Sequence, residues 1–182
     1  ASYVFHFVLF GAFLVASGAG DFFTDFARAL TGRAIGGPAK TAVVSSTLMG
    51  MLSGSSAANV VTTGSFTIPA MRKSGYSAKF AASVEAVASS GGQITPPIMG
   101  AAAFIMMEFV GASYATIMGI AIIPAILYFL AVFFMVDLEA RRLNLKVLNE
   151  DTIPRLWDVF KRRGYLLISI GVMLWLLIDG WT

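Results

Sequence analysis

The stretch SGSSAANVVTTG, residues 53–64, interrupts a long apolar run at its centre. No charged side chain lies between Lys40 and Arg72, so the run is 31 residues long. A single membrane span takes about 20 apolar residues, or up to about 25 when tilted. At about 1.5 Å of rise per residue, one helix of this length would overshoot the hydrocarbon core by half again. A simple span is also most apolar at its middle, where this run instead gathers serines, glycine and an asparagine. The stretch therefore predicts a turn between two short helices.

Composition sets the solvent. Hydrophobic residues make up 57% of the 182-residue chain and charged residues 13%, against about 45–50% and about 25% in soluble domains. An integral membrane protein is implied. The chain starts inside an apolar segment, with no basic leader or cleavage site, so it is expected to be an interior piece of a longer protein. A formal charge of +3 and a pI of 9.4 are compatible with nucleic acid, but the distribution points away from it. The cations fall into three clusters: Arg28, Arg33 and Lys40; Arg72, Lys73 and Lys79; and seven between Arg141 and Arg163. Such clusters between apolar segments report topology through the positive-inside rule. Without cysteine, disulfide frameworks and thiolate metal sites are excluded.

The pattern predicts a transmembrane helix over 1–20 and an amphipathic arm helix over 21–40. In the arm, Phe22, Phe23, Phe26 and Leu30 share a face. A helical hairpin follows over 41–71. A second long segment, 77–110, is broken at 91–97 by the run GGQITPP. Residues 115–136 read as an ordinary span containing Pro124. A basic amphipathic linker over 137–163 is expected to hold a helix capped by Asp151 or Thr152, with Pro154 in its first turn and Leu156, Trp157 and Phe160 buried. A final apolar run occupies 165–182.

Charge decides the hairpin's path. If 41–71 crossed once, the two basic clusters beside it would face opposite sides. If it enters and returns, all three clusters face the cytoplasm, as the rule asks. The hairpin is therefore expected to be re-entrant, with its tip at 53–59. Both the tip and the 91–97 break should lie near the midplane, where non-helical backbone is tolerated only against protein or water. Discontinuous helices meeting there are characteristic of secondary transporters.

The chemistry follows from the helix ends. Carbonyl-bearing ends, with Ser56 and Asn59 spaced i and i+3, suit a small hard cation; no carboxylate lies in either motif. The restarting helices offer amide ends that favour anions, with Thr95 as N-cap and Pro96 as first helical residue. Sodium with a carboxylate is the natural pair. The plainer reading is packing, since Gly50 and Gly54 form a small-xxx-small pair. Glu85, six residues past Lys79, is either a proton or cation site or a side chain that snorkels to the cytoplasmic interface, and the second is the favoured expectation. Glu108 is expected at the outer interface, and His6 as a packed residue.

The sequence GMLSGSSAANVVTTGSFTIPAMRKSGYSAKFAASVEAVASSGGQITPPIMGAAAFIM closely resembles the large membrane subunit of the tripartite ATP-independent periplasmic (TRAP) transporters. The forms GSFTIPAM, VEAVASSGGQITPPIMGAAAFIM and DLEARRLNL are similar to the TAXI branch, whose permeases are often fused to the small membrane subunit. The resemblance implies an all-α, elevator-type, sodium-driven importer of organic acids in the bacterial or archaeal inner membrane. Its implied partners are a periplasmic substrate-binding protein, the small subunit, the lipid bilayer and a second, inverted repeat absent from this chain. Carried over by position, sodium falls to Ser56, Asn59, Gly92, Pro96 and Pro97, and substrate to Ser55, Gln93 and Thr95. A carrier working without a binding protein and a channel are the alternatives. With one histidine and no cysteine, an enzyme is not expected.

Overall fold

The computed structural model describes residues 9, 12–13, 16–97, 99–145, 147 and 153–178. Most of the expected 1–20 span, together with His6, Asp151 and Thr152, lies outside these. All eight elements bounded within the described residues are helical: α1 (Ala19–Thr31), α2 (Gly37–Ser53), α3 (Ser56–Lys73), α4 (Ala78–Gly92), α5 (Ala101–Val110), α6 (Tyr114–Arg142), α7 (Leu156–Arg163) and α8 (Tyr165–Ile178).

The hydroxyl-rich stretch is a turn. Gly54, with φ of 61°, ends α2 in the left-handed conformation that glycine adopts without penalty. Ser55 then caps α3 by accepting from the amide of Ala58 at 3.3 Å. Ser46 meets Thr63, and Gly50 lies against Asn59, so α2 and α3 run antiparallel. α4 packs on both of them and on α6.

One cluster joins Ala39, Ala42 and Val43 of α2 to Val84 and Ala88 of α4 and Val132, Val136 and Ala140 of α6. A second joins Phe22 and Phe23 of α1 to Met49 and Leu52, Val159 of α7 and Leu166 of α8. Among the described residues one helix, α6, is long and apolar enough to cross a membrane, and most of its apolar surface is exposed.

Several boundaries differ from expectation for local reasons. The hairpin's first arm starts at Gly37, with Pro38 in its first turn, where its missing N–H costs nothing. Lys40 therefore sits inside a helix, buried, with its ammonium on the Asp137 carboxylate of α6. Leu30 is 51% exposed, while Phe22 and Phe23 carry the arm's contact. α6 runs on through Arg142, helped by the Asp137–Arg141 pair one turn apart. α7 begins only at Leu156, with Pro154 ahead of it. Its buried residue is Val159, and Trp157 is 68% exposed, so the expected burial of Leu156, Trp157 and Phe160 is not found. Arg163 ties α7 to the start of α1 through Asp21 and the carbonyl of Gly18.

Candidate functional site

The turn and the break meet through glycines. A β-carbon on Gly50 would lie 3.1 Å from Gly92 Cα and 3.2 Å from Asn59 Nδ2. One on Gly54 would lie 3.0 Å from the carbonyl oxygen of Met99. The small-xxx-small pair of α2 thus seats the end of α4 and the 99–100 segment directly on backbone, so packing and site geometry coincide here.

The break spans residues 93–100. The amides of Gln93, Ile94 and Thr95 each turn back to the carbonyls of Ser90, Gly91 and Gly92 at 3.2 Å, and the amide of Gly100 closes the loop on the carbonyl of Gln93 at 2.8 Å. The carbonyls of Ser90, Gly91 and Gly92, expected to be unpaired at the end of α4, therefore each accept at least one donor. Thr95 does not cap a restarting helix: its hydroxyl donates to the carbonyl of Gly91 at 2.7 Å. The second half-helix starts at Ala101 behind Gly100. Pro96 precedes a second proline, which disfavours the helical region for it; the bond between them is cis. The carbonyl of Pro97 accepts from the Tyr114 hydroxyl at 3.0 Å. Thr95 and Pro96 line an apolar cavity of about 360 Å³ with Val43, Thr47, Ile122 and Phe129. Ser56 opens α3, and Ser56 and Gln93 are half-buried.

Asn59 is 1% exposed and joins three helices. Its Nδ2 donates to the carbonyl of Ser46 at 2.8 Å and to Ser89 Oγ at 2.9 Å. Its Oδ1 receives only a 3.5 Å approach from Thr63 Oγ1. That hydroxyl has one proton and two closer acceptors, the carbonyl of Asn59 and Glu85. Among the described residues, buried Asn59 Oδ1 thus has no committed donor.

The expectation for Glu85 is overturned. It is 0% exposed and does not reach an interface. Its Oε1 takes the hydroxyls of Ser46 at 2.7 Å, Ser89 at 3.2 Å and Thr63, and its Oε2 that of Thr67 at 2.6 Å. α4 packs its polar face against the hairpin, and hydroxyls spaced for that purpose receive the carboxyl group. The signal was present in the sequence. Asn59, Thr63 and Thr67 recur every four residues, as do Glu85 and Ser89, giving each helix one polar stripe in an apolar setting.

A family model for the DctM component of the tripartite ATP-independent periplasmic transporters matches residues 1–182. The chain belongs to this family. The C4-dicarboxylate TRAP transporter large permease protein DctM of Pseudomonas aeruginosa is 31% identical over 170 residues, covering 90% of the chain and 38% of that protein. Its namesake from Rhodobacter capsulatus is 28% identical over 180 residues, covering 92% and 41%. The one from Vibrio cholerae is 33% identical over 143 residues, covering 76% and 30%. The chain thus spans well under half the length of these relatives, which are permease components and not enzymes.

Proposed function

We propose that this chain supplies one half of the transport site in a sodium-driven, binding-protein-dependent importer of organic acids. In this reading it is the first of two inverted repeats of a TRAP large subunit, of the TAXI branch. The hairpin is re-entrant and moves with the broken helix as an elevator. The partners are a periplasmic TAXI-type binding protein and a small membrane subunit, fused or separate. C4-dicarboxylates, which the relatives' names carry, are candidate organic acids for this chain.

The observation that carries the reading is the uncommitted Oδ1 of buried Asn59, beside the packed turn and break. A neutral amide oxygen with the Ser56 hydroxyl and backbone carbonyls is a donor set suited to a hard monovalent cation. Gly92, Pro96 and Pro97 supply the carbonyls, and those of Gly92 and Pro97 each keep a lone pair beyond the hydrogen bond they accept. The organic acid falls to Ser55, Gln93 and Thr95 and to groups of the second repeat.

The test is uptake by the full-length permease, with its small subunit and binding protein, in proteoliposomes. An inward sodium gradient is expected to drive uptake, and Asn59→Ala to raise the half-saturating sodium at least about tenfold. Uptake indifferent to both the sodium gradient and the binding protein would overturn the proposal.

A further inference from the structure

We infer that Glu85 is the positioning residue for the sodium ligand Asn59, acting through Ser89 and Ser46; the inference rests on the sodium reading of Asn59 given above. Its basis is the direction of each proton in the network.

The carbonyl of Ser46 can only accept, so the Asn59 atom 2.8 Å from it is the amide nitrogen. The second amide proton goes to Ser89 Oγ at 2.9 Å. Ser89 then has one proton of its own, and its acceptor is Glu85 Oε1, one helical turn away at 3.2 Å. Ser46 donates to the same oxygen at 2.7 Å, which fixes the turn of α2 whose carbonyl holds Asn59. Glu85 is thus the terminal acceptor toward which these donors point. With both amide protons committed on the inner side, Oδ1 is directed away from Ser46 and Ser89.

Without that acceptor, Ser89 can turn its proton toward Asn59. Ser89 then no longer holds the second amide proton, Asn59 keeps only the Ser46 carbonyl, and its oxygen is held less firmly toward the cation. All four partners of the Glu85 side chain are neutral hydroxyls from α2, α3 and α4. They lie at hydrogen-bond distance from the carboxyl oxygens. The group acts as an acceptor hub rather than a ligand. Side chains that orient a ligand in this way are worth about 10–100-fold in metal affinity.

The test uses the full-length permease carrying Ser89→Ala, Glu85→Gln, Glu85→Ala or Asn59→Ala. One readout is the sodium-dependent rise in unfolding temperature of detergent-purified protein without organic acid. The other is half-saturating sodium set against maximal uptake. Ser89→Ala is expected to shift the sodium midpoint about tenfold in both readouts, with maximal uptake kept. Glu85→Gln is expected to behave as wild type: its oxygen still accepts, and its amide donates to Thr67 Oγ1, whose proton has the carbonyl of Thr63 at 2.9 Å. Glu85→Ala is expected to match Ser89→Ala, and the two together to cost little more than either. If Glu85→Ala does not fold, Ser89→Ala decides alone. A midpoint that moves in Asn59→Ala but not in Ser89→Ala overturns the role of Glu85 and leaves the sodium reading intact. Wild-type protein whose unfolding ignores sodium overturns both.

Discussion

A β-carbon on Gly92 would lie 2.6 Å from Gly50 Cα and 2.7 Å from Gly50 C, which are backbone atoms with no rotamer to escape into. Gly92→Ala therefore has to push the end of α4 off α2. Overpacking of this kind costs about 1–3 kcal/mol. A β-carbon on Gly119, in α6, would meet nothing within 4 Å, and alanine is the better helix former. Thermal unfolding of the full-length permease is expected to fall for Gly92→Ala and to hold or rise for Gly119→Ala. Equal effects would mean that the α2–α4 contact is not close in solution. Glycine identity at these positions was legible in the sequence, but its partner was not. Gly50 and Gly54 announce a close approach without saying that the backbone they meet is Gly92 and Met99. Glu85 shows the same limit: measured along one helix it sits within reach of an interface, and only the facing hydroxyls of α2 and α3 account for its burial.

Among the elements, the junction of α2 and α6 depends on a charge. Lys40 is 7% exposed and meets Asp137, which also accepts from Arg141 at 2.7 Å. Removing one member of such a pair strands the other, and the stranded group decides the cost. Asp137→Asn leaves a buried ammonium without its counter-charge. Lys40→Met leaves a carboxylate that still has Arg141 and partial solvent. Asp137→Asn is therefore expected to lower the unfolding temperature more than Lys40→Met, and adding Lys40→Met is expected to recover part of the loss. The opposite order would remove the pair as the tether. Element type followed from local pattern, namely the apolar segments and the turn expected at 53–59, while the Ser77 and Ser113 caps, which accept from the amides of Phe80 and Thr116, were found in the structure. Boundaries set by distant contacts did not. Thr95-Pro96 has the chemistry of a helix start, yet the second proline and the Gly100-to-Gln93 closure move that start to Ala101. Likewise α7 meets α1 through Val159, the ring of Phe160 and Arg163, and Trp157 stays exposed.

For the molecule as a whole, the arrangement of the hairpin's two ends bears on how it sits in a bilayer. Pro38 and Thr41 at the start of α2, and Ala70, Lys73 and Ser74 at the end of α3, line one cavity with Arg28 of α1. Both ends of the hairpin are therefore neighbours, and two of the three basic clusters seen in the sequence meet there. An antiparallel pair whose ends share a basic neighbourhood can enter a membrane only from that side, because carrying either cluster across costs several kcal/mol per charge. In the proposed re-entrant reading the third cluster lies on the same side, because the end of α6 meets the start of α2 through Asp137 and Lys40. The other end of α6 follows the uncharged residues 111–113. Single cysteines at exposed Arg33 and Arg72 are thus expected to react with an impermeant thiol reagent only from the cytoplasmic side. One at Ser113 is expected to react only from the other. This segment has no cysteine of its own to compete. The Arg33 and Arg72 positions test the hairpin and Ser113 tests the crossing of α6, so each can fail alone. Labelling of Arg33→Cys and Arg72→Cys from opposite faces would mean that α2 and α3 together cross the bilayer. The turn at residues 53–59 would then be a kink in a span, and its uncommitted amide oxygen would need a different explanation.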